Sequence, residues 1–128
     1  MARLKIAPGE KPLLWVGSSK RDLLLLPEPV RDEIGTALSV AQFVGKHPNV
    51  KPWKGEGPGV FEVVEDFQGN AYRAVYTVRF EKALNALHVF QKKSPRKIKT
   101  ARTDIDLIHE RLRLAQLDYE ERYGAKER

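Results

Sequence analysis

The sequence of 128 residues predicts an α+β fold in which a small, antiparallel-rich sheet packs on an N-terminal helical hairpin, with a C-terminal helix. Two observations predict this class. Apolar residues recur at three- and four-residue spacing before residue 45 and again after residue 103, which is typical of amphipathic helices. Between these stretches, residues 60–91 contain three strand-like segments separated by turn residues, which is typical of an antiparallel meander.

The first predicted elements are a strand and a short helix. Residues 1–12 are basic and contain proline, and they are predicted to form an N-terminal tail. Residues 13–16 are an apolar run of strand length. Ser19, followed by Asp22 three residues later, predicts a capped helix that Pro27 ends.

A second helix completes the predicted hairpin. Pro29 suits its first turn, where the missing N–H costs no hydrogen bond. Its apolar residues run at helical spacing from Val30 to Val44, and Gly45 marks its end. Residues 46–59 hold three prolines and three glycines and are therefore predicted to form a long loop.

The predicted meander consists of strands at residues 60–67, 71–80 and 84–91. A tight turn that pairs Phe80 with Ala83 would place Val75 opposite His88. Side chains then divide by parity between the two faces. One face collects Arg73, Arg79 and His88, and the other collects the apolar residues Ala74, Tyr76, Leu87 and Val89.

The C-terminal part begins with residues 92–102, which hold six basic residues and no acidic one. Thr103 with Asp106 predicts the cap of the last helix. The charged residues 121–128 are predicted to form a tail, which leaves a single domain at residues 13–120. The residues expected on the buried face of this helix are Ile105, Ile108, Leu112 and Ala115.

Composition narrows the possible functions. The absence of cysteine excludes disulfides, thiol nucleophiles and thiolate metal sites, and the three histidines lie far apart in sequence, so neither a metal nor another cofactor is expected. No apolar run reaches the ~20 residues of a membrane span, and no signal peptide is evident, so a cytoplasmic location is expected. The net charge of +6 is compatible with a polyanionic partner.

The basic face of the meander has a possible chemistry. Cleavage of RNA through its 2′-hydroxyl needs a base, cations beside the phosphorane and an acid, and arginine and histidine suit these roles. The simpler interpretation is a solvated sheet face whose charges pair with Glu62 or Glu65, and spacing alone favours it.

The loop at residues 46–59 offers a second candidate. Lys51 and Lys54 flank Trp53 and could hold a phosphate while the indole stacks on a base. Equally, Trp53 could fix the loop onto the core. His47 is expected to be exposed, and His109 is expected on the surface of the last helix.

Three segments together resemble a known superfamily. They are Tyr-Arg-Ala-Val-Tyr at residues 72–76, Leu-His-Val-Phe-Gln-Lys-Lys-Ser at residues 87–94 and Asp-Ile-Asp-Leu-Ile at residues 104–108. The order of elements and these segments resemble the RelE/ParE toxins of toxin–antitoxin systems, in their HigB-like, phage-related branch. The resemblance extends over about residues 13–120.

The resemblance implies a RelE-like fold and a type II toxin that cuts translated mRNA in the ribosomal A site without a metal. Its expected partner is a small antitoxin carrying a helix-turn-helix, in a possible heterotetramer, and no membrane is involved. The implied catalytic residues are Arg73, His88, Lys92 and Lys93. The implied RNA-binding residues are Lys51, Lys54, Arg79, Arg96, Lys97 and Lys99.

The sequence departs from that pattern at two places. Relatives often carry Glu-Leu-Arg where this chain has Glu62-Val63-Val64, and Thr-Pro where it has Thr100-Ala101. The missing arginine keeps open the alternative of a ParE-like toxin that binds DNA gyrase without nuclease activity, because fold alone does not separate the two activities. A third alternative is an inactive or regulatory remnant of the same fold.

Overall fold

The computed structural model describes residues 7–92 and 100–124 and confirms the predicted α+β class. Five strands form one sheet in the order β1-β5-β4-β3-β2. The meander β3-β4-β5 is antiparallel, and β1 adds to its edge in parallel with β5. The elements are β1 (Leu13–Trp15), α1 (Ser19–Leu24), α2 (Glu28–Gln42), β2 (Val50–Pro52), β3 (Val60–Phe67), β4 (Asn70–Thr77), β5 (Leu84–Lys92) and α3 (Arg102–Tyr123).

The helical hairpin forms as predicted, with shifted ends. Ser18, not Ser19, stands at the N-cap of α1, and its Oγ donates to Asp22 Oδ2 at 2.7 Å. Ser19 is buried and donates to the carbonyl of Ala86 at 3.2 Å, so the predicted cap residue instead ties α1 to β5. Helix α2 ends at Gln42, which leaves Val44 75% exposed rather than on the buried face.

The predicted register of the meander is correct over its first half. Val75 pairs with His88 and Ala74 pairs with Val89. A β-bulge then shifts the register, so that Tyr76 pairs with Ala86. The prediction that Leu87 shares a face with Ala74 is therefore wrong, because the extra residue in β5 reverses the parity beyond the bulge.

The predicted loop at residues 46–59 contains a short strand. β2 pairs antiparallel with β3, with Lys51 directly opposite Glu62. Backbone pairing of this edge strand places the loop residues that follow it against the sheet, where Trp53 N–H donates to the carbonyl of Val60 at 2.9 Å. The sequence did not predict β2, because the three prolines and three glycines of residues 46–59 are residue types that normally indicate turns.

The sheet carries an apolar cluster on each face. The cluster beneath α1 and α2 includes Ile34, Leu38 and Tyr76. The cluster beneath α3 includes Ile108 and Leu112, as predicted for that helix. Ile105 was also expected there, but it is 37% exposed and lines a cleft at the beginning of α3.

The segments outside the predicted domain limits partly contact the fold. Lys11 N–H donates to the carbonyl of Gln42 at 2.8 Å, and Leu84 N–H donates to the carbonyl of Pro12 at 2.9 Å. Helix α3 continues to Tyr123. The limits at residues 13 and 120 stay predictions, and most of the basic run, residues 93–99, lies outside the described residues.

Candidate active site

An open cleft of about 620 Å³ lies where β2 and β3 meet the beginning of α3. Its lining combines cations with a carboxylate, which suits a charged ligand, and it includes part of the largely buried Trp53. The residues that line it are Lys51, Pro52, Trp53, Lys54, Glu62, Thr100 and Ile105.

Strand register brings the charged residues of this face together. Lys51 lies opposite Glu62, and Glu62 lies opposite Val75, which is itself opposite His88. Arg73 stands two residues before Val75 on β4, on the same face, and is therefore a diagonal neighbour of Glu62. The face thus places a carboxylate between cations of β2 and β4.

Glu62 is the carboxylate at the base of this arrangement. Its side chain is 13% exposed, and its Oε1 lies 3.6 Å from Nε of Arg73. Burial raises the pKa of Glu62, while the positive charges of Lys51, Arg73 and Lys92 oppose that rise. The result is a partly desolvated carboxylate with a greater affinity for a proton than an ordinary glutamate.

Arg73 is held by its neighbours rather than being free. The Nη1 of Arg73 donates a hydrogen bond to the carbonyl of Tyr72 at 2.7 Å, and it lies 3.4 Å from Oδ1 of Asp66. The simpler interpretation expected pairing with Glu62 or Glu65. The pairing with Glu62 is present, whereas Glu65 accepts a hydrogen bond from Asn49 Nδ2 at 2.8 Å.

His88 shares the face with Arg73 but is covered by α3. Its side chain is 7% exposed, and its Nε2 lies 2.8 Å from Oδ1 of Asp104 on that helix. Its ring stacks on Phe90 at 4.7 Å between centroids, and its Nδ1 lies 3.4 Å from Nη1 of Arg111. Both ring nitrogens thus face protein groups.

Arg111 is a neighbour of His88 that the sequence analysis missed. It is buried, and its guanidinium donates to the carbonyl of Leu87 and to Ser18 Oγ, both at 3.0 Å. Burial lowers the pKa of Arg111, and the charge of Asp22 opposes this effect. The sequence does contain a signal for the burial of Arg111, because it lies between Ile108 and Leu112 on the apolar face of α3.

Arg79 lies in the loop after β4 and not on the predicted sheet face, because β4 ends at Thr77. Its Nε and Nη2 donate to the carbonyl of Pro58 at 3.2 and 2.9 Å, and Nη2 also donates to the carbonyl of Glu56. Glu56 in turn lies 3.0 Å from His109 on α3. These contacts hold the loop that carries Lys54.

The remaining predicted residues have different environments. Trp53 is 8% exposed and packs in the cluster beneath α3, as in the second of its two interpretations. Lys51 and Lys54 are exposed, and Lys92 is half-buried at the end of β5. Four predicted site residues lie outside the described residues, namely Lys93, Arg96, Lys97 and Lys99.

The other two histidines differ from each other. The expectation that His47 is exposed is wrong, because its side chain is 14% exposed and its Nδ1 accepts a hydrogen bond from Asn49 N–H at 3.1 Å. The surface position predicted for His109 is confirmed by its 71% exposed side chain. In residues 7–92 and 100–124, no three histidine, aspartate or glutamate side chains cluster as metal ligands.

The comparisons with known proteins agree with the fold. No curated protein matches the chain significantly. Among solved structures, an arginine-to-alanine double mutant of the E. coli toxin RelE in the free state matches with a TM-score of 0.52 and 17% identity, over 82% of this chain and 97% of that one. The fold is therefore RelE-like. Separately, no helix within the described parts of the chain is long and apolar enough to cross a membrane.

A family model gives the closer assignment. The model of phage-derived Gp49-like proteins (DUF891) matches residues 21–113, which include most of α1, all of α2, the whole meander and the first half of α3. This match extends over well over half of the chain and contains Glu62, Arg73 and His88. The chain belongs to the phage-derived Gp49-like family.

Proposed function

We propose that this protein is the toxin of a type II toxin–antitoxin system, of the HigB-like branch, and that it cuts mRNA on the ribosome. The observation that carries the proposal is the open cleft, in which Lys51, Lys54 and Trp53 surround Glu62, with Arg73 adjacent. The RelE-like fold and the family membership support it.

In this proposal the cations of the cleft bind the RNA backbone. Arg73 stabilises the charge that develops on the phosphorane, because a guanidinium can meet two phosphate oxygens at once. Lys51 and Lys54 hold the flanking phosphates from the exposed side. The further RNA contacts in the proposal are Lys92, at the end of β5, and four residues outside the described ranges, Lys93, Arg96, Lys97 and Lys99.

His88 has a positioning role in the proposal. As a proton carrier it would have to leave Asp104 and Phe90, because its side chain is only 7% exposed. Held where it is, it fixes the beginning of α3 against β5 and thereby sets the width of the cleft beside Ile105.

The proposed setting is the cytoplasm, where the toxin meets its mRNA and its antitoxin. We propose that the antitoxin is a helix-turn-helix protein that covers the basic cleft, in a heterotetramer of two toxins and two antitoxins. Electrostatic attraction favours such a pairing, since the chain carries a net charge of +6.

The test is to map mRNA 5′ ends after a short pulse of expression of the wild type, Arg73→Ala and the control Arg21→Ala. Arg21 is an exposed arginine on α1, a helix that contributes no residue to the lining of the cleft. New 5′ ends inside translated frames with wild type and Arg21→Ala, and their loss with folded Arg73→Ala, are expected.

Two results would contradict the proposal. Growth arrest without new mRNA ends, with linear DNA accumulating in gyrase reactions, would establish the gyrase-poisoning alternative. Expression at confirmed levels without growth arrest would indicate an inactive member of the family.

A further inference from the structure

RNA cleavage at the cleft needs a group that accepts the proton of the 2′-hydroxyl, and His88 is badly placed for it. Both of its ring nitrogens face groups of the protein, Asp104 at 2.8 Å and Arg111 at 3.4 Å. Its ring is stacked on Phe90, and α3 covers it. A base must instead have an atom that opens onto the cleft.

Glu62 meets that requirement. It lines the cleft together with two exposed lysines, Lys51 of β2 and Lys54 of the following loop. Its Oε1 lies 3.6 Å from Nε of Arg73, which fixes the carboxylate. A scissile phosphate bound by Arg73, with a flanking phosphate on Lys51, would therefore lie beside the Glu62 carboxylate, where the attacking 2′-oxygen must also be.

We infer that Glu62 is the general base of the RNA cleavage proposed above, and the inference rests on that proposed function. Glu62 takes the proton as the 2′-oxygen forms its bond to phosphorus, and the bond from phosphorus to the 5′-oxygen breaks. The products are a 2′,3′-cyclic phosphate and a 5′-hydroxyl, whose proton comes from water. The hydroxide left behind takes the proton from Glu62 and restores the carboxylate.

The surroundings of Glu62 suit this role. A general base works best when its pKa lies near the working pH, and burial raises the pKa of Glu62 in that direction. The charged groups that face it are Lys51 from β2, Arg73 from β4 and Lys92 from β5, and all three limit that rise. The same cations favour the ionised carboxylate, which is the form that accepts a proton.

The test uses the full-length chain and ribosomes programmed with a defined, end-labelled mRNA, under single-turnover conditions at several pH values. Glu62→Gln keeps the size of the side chain but removes the base, so cleavage is expected to slow about 10²–10⁴-fold. The rise of the wild-type rate with pH is expected to disappear in this variant. Glu62→Asp should recover part of the rate.

The matched control is Glu65→Gln on the same strand but the opposite face, where the residue contacts Asn49. This variant should cleave at the wild-type rate with an unchanged pH profile. Affinity for the programmed ribosome, measured separately, should stay within about threefold of wild type for Glu62→Gln, since the lysines and Arg73 remain.

The outcomes separate the two proposals. Wild-type protein that leaves the mRNA intact overturns the proposed function and the role of Glu62 with it. Two results would overturn the role of Glu62 alone and leave the nuclease proposal standing. In the first, Glu62→Gln cleaves the mRNA at the wild-type rate. In the second, Glu62→Gln cleaves more slowly by the same factor at every pH and also loses affinity for the ribosome.

Discussion

His88 shows how one buried side chain joins two elements. Its imidazole contacts Asp104 of α3 on one side and Phe90 of its own strand on the other. A hydrogen bond to a charged group contributes about 1.5–3 kcal/mol, and an aromatic stack adds about 0.5–1.5 kcal/mol. The docking of α3 should therefore depend measurably on this residue.

We expect His88→Ala to lower the free energy of unfolding by about 2–4 kcal/mol, because it removes both contacts and leaves a cavity. His109→Ala is the control, since His109 also pairs with a carboxylate but its side chain is 71% exposed. Its cost should stay within about 0.5 kcal/mol. Denaturant unfolding of both variants measures the difference, and equal costs would contradict the structural role of His88.

Glu62 predicts a dependence of stability on pH. Its pKa in the folded protein lies above the ordinary value of about 4.3, chiefly because of burial. The folded state therefore keeps a proton that the unfolded state releases, and stability falls as pH rises from about 4 through the folded pKa. The unfolding free energy of wild type minus that of Glu62→Gln should decrease over that range in parallel denaturant titrations.

A difference that stays constant from pH 4 to 8 would show that the Glu62 carboxyl titrates alike in both states. A difference that increases with pH would show that the cations around it outweigh its burial. Glu65→Gln, measured over the same range, is the control for replacing a glutamate on the other face of the same strand.

Among the elements, the loop between β2 and β3 depends most on its glycines. Gly59 has a φ of +85°, and a Cβ added there would lie 3.3 Å from Cα of Arg79. The same loop is held by Thr77, whose Oγ1 donates to the carbonyl of Gly59 at 2.7 Å. Backbone conformation and close packing therefore both require glycine at this position.

Gly59→Ala should destabilise the fold by about 2 kcal/mol, the sum of a left-handed backbone and a tight contact. Gly69 in the β3–β4 turn is the matched control, since its φ is +80° but a Cβ there meets nothing within 4 Å. Its replacement by alanine should cost about 1 kcal/mol. Thermal unfolding of both variants tests this, and a larger cost at Gly69 would refute it.

The elements also show what the sequence can and cannot predict. Hydrophobic periodicity located α2, the meander and α3 because each has enough residues to display its period. β2 has three residues, which are too few to display a period. The bulge in β5 changes the register, but no glycine in the sequence marks its position. Leu87 was consequently assigned to the wrong face.

The candidate site follows the same rule. Arg73 and His88 were placed on one face because they lie in the correctly registered half of the meander. The burial of His88 depends on where α3 lies, which is a tertiary property that strand alternation does not contain. Glu62 was taken only as a partner for basic residues, because the sequence did not reveal β2, whose Lys51 lies opposite it.

For the molecule as a whole, the distribution of charge bears on the proposed binding to RNA. The net charge is +6, and the cleft exposes two lysines close together. Each phosphate neutralised on a single strand releases counterions, and the logarithm of the affinity then falls with the logarithm of salt by about 0.7 for each contact.

We expect Lys51→Ala and Lys54→Ala each to reduce that salt slope by about 0.7, and the double variant to reduce it by about 1.4. The control is Lys20→Ala on α1, an exposed lysine of the helical hairpin, which should leave the slope unchanged. Fluorescence anisotropy of a labelled single-stranded RNA at several salt concentrations gives the slopes. Equal slopes in all variants would place the RNA elsewhere on the surface.

The pairing of β1 with β5 has a consequence for synthesis of the chain. Leu13 of β1 pairs with Leu84 of β5, so β1 cannot pair until the ribosome has made a segment about 70 residues further along the chain. Helix α3, which covers the second apolar cluster and secures His88, is made later still. Because synthesis runs from the N-terminus, the sheet stays incomplete until β5 has been made. The cleft gains its final shape only after α3 has been made, because Thr100 and Ile105 form part of its lining.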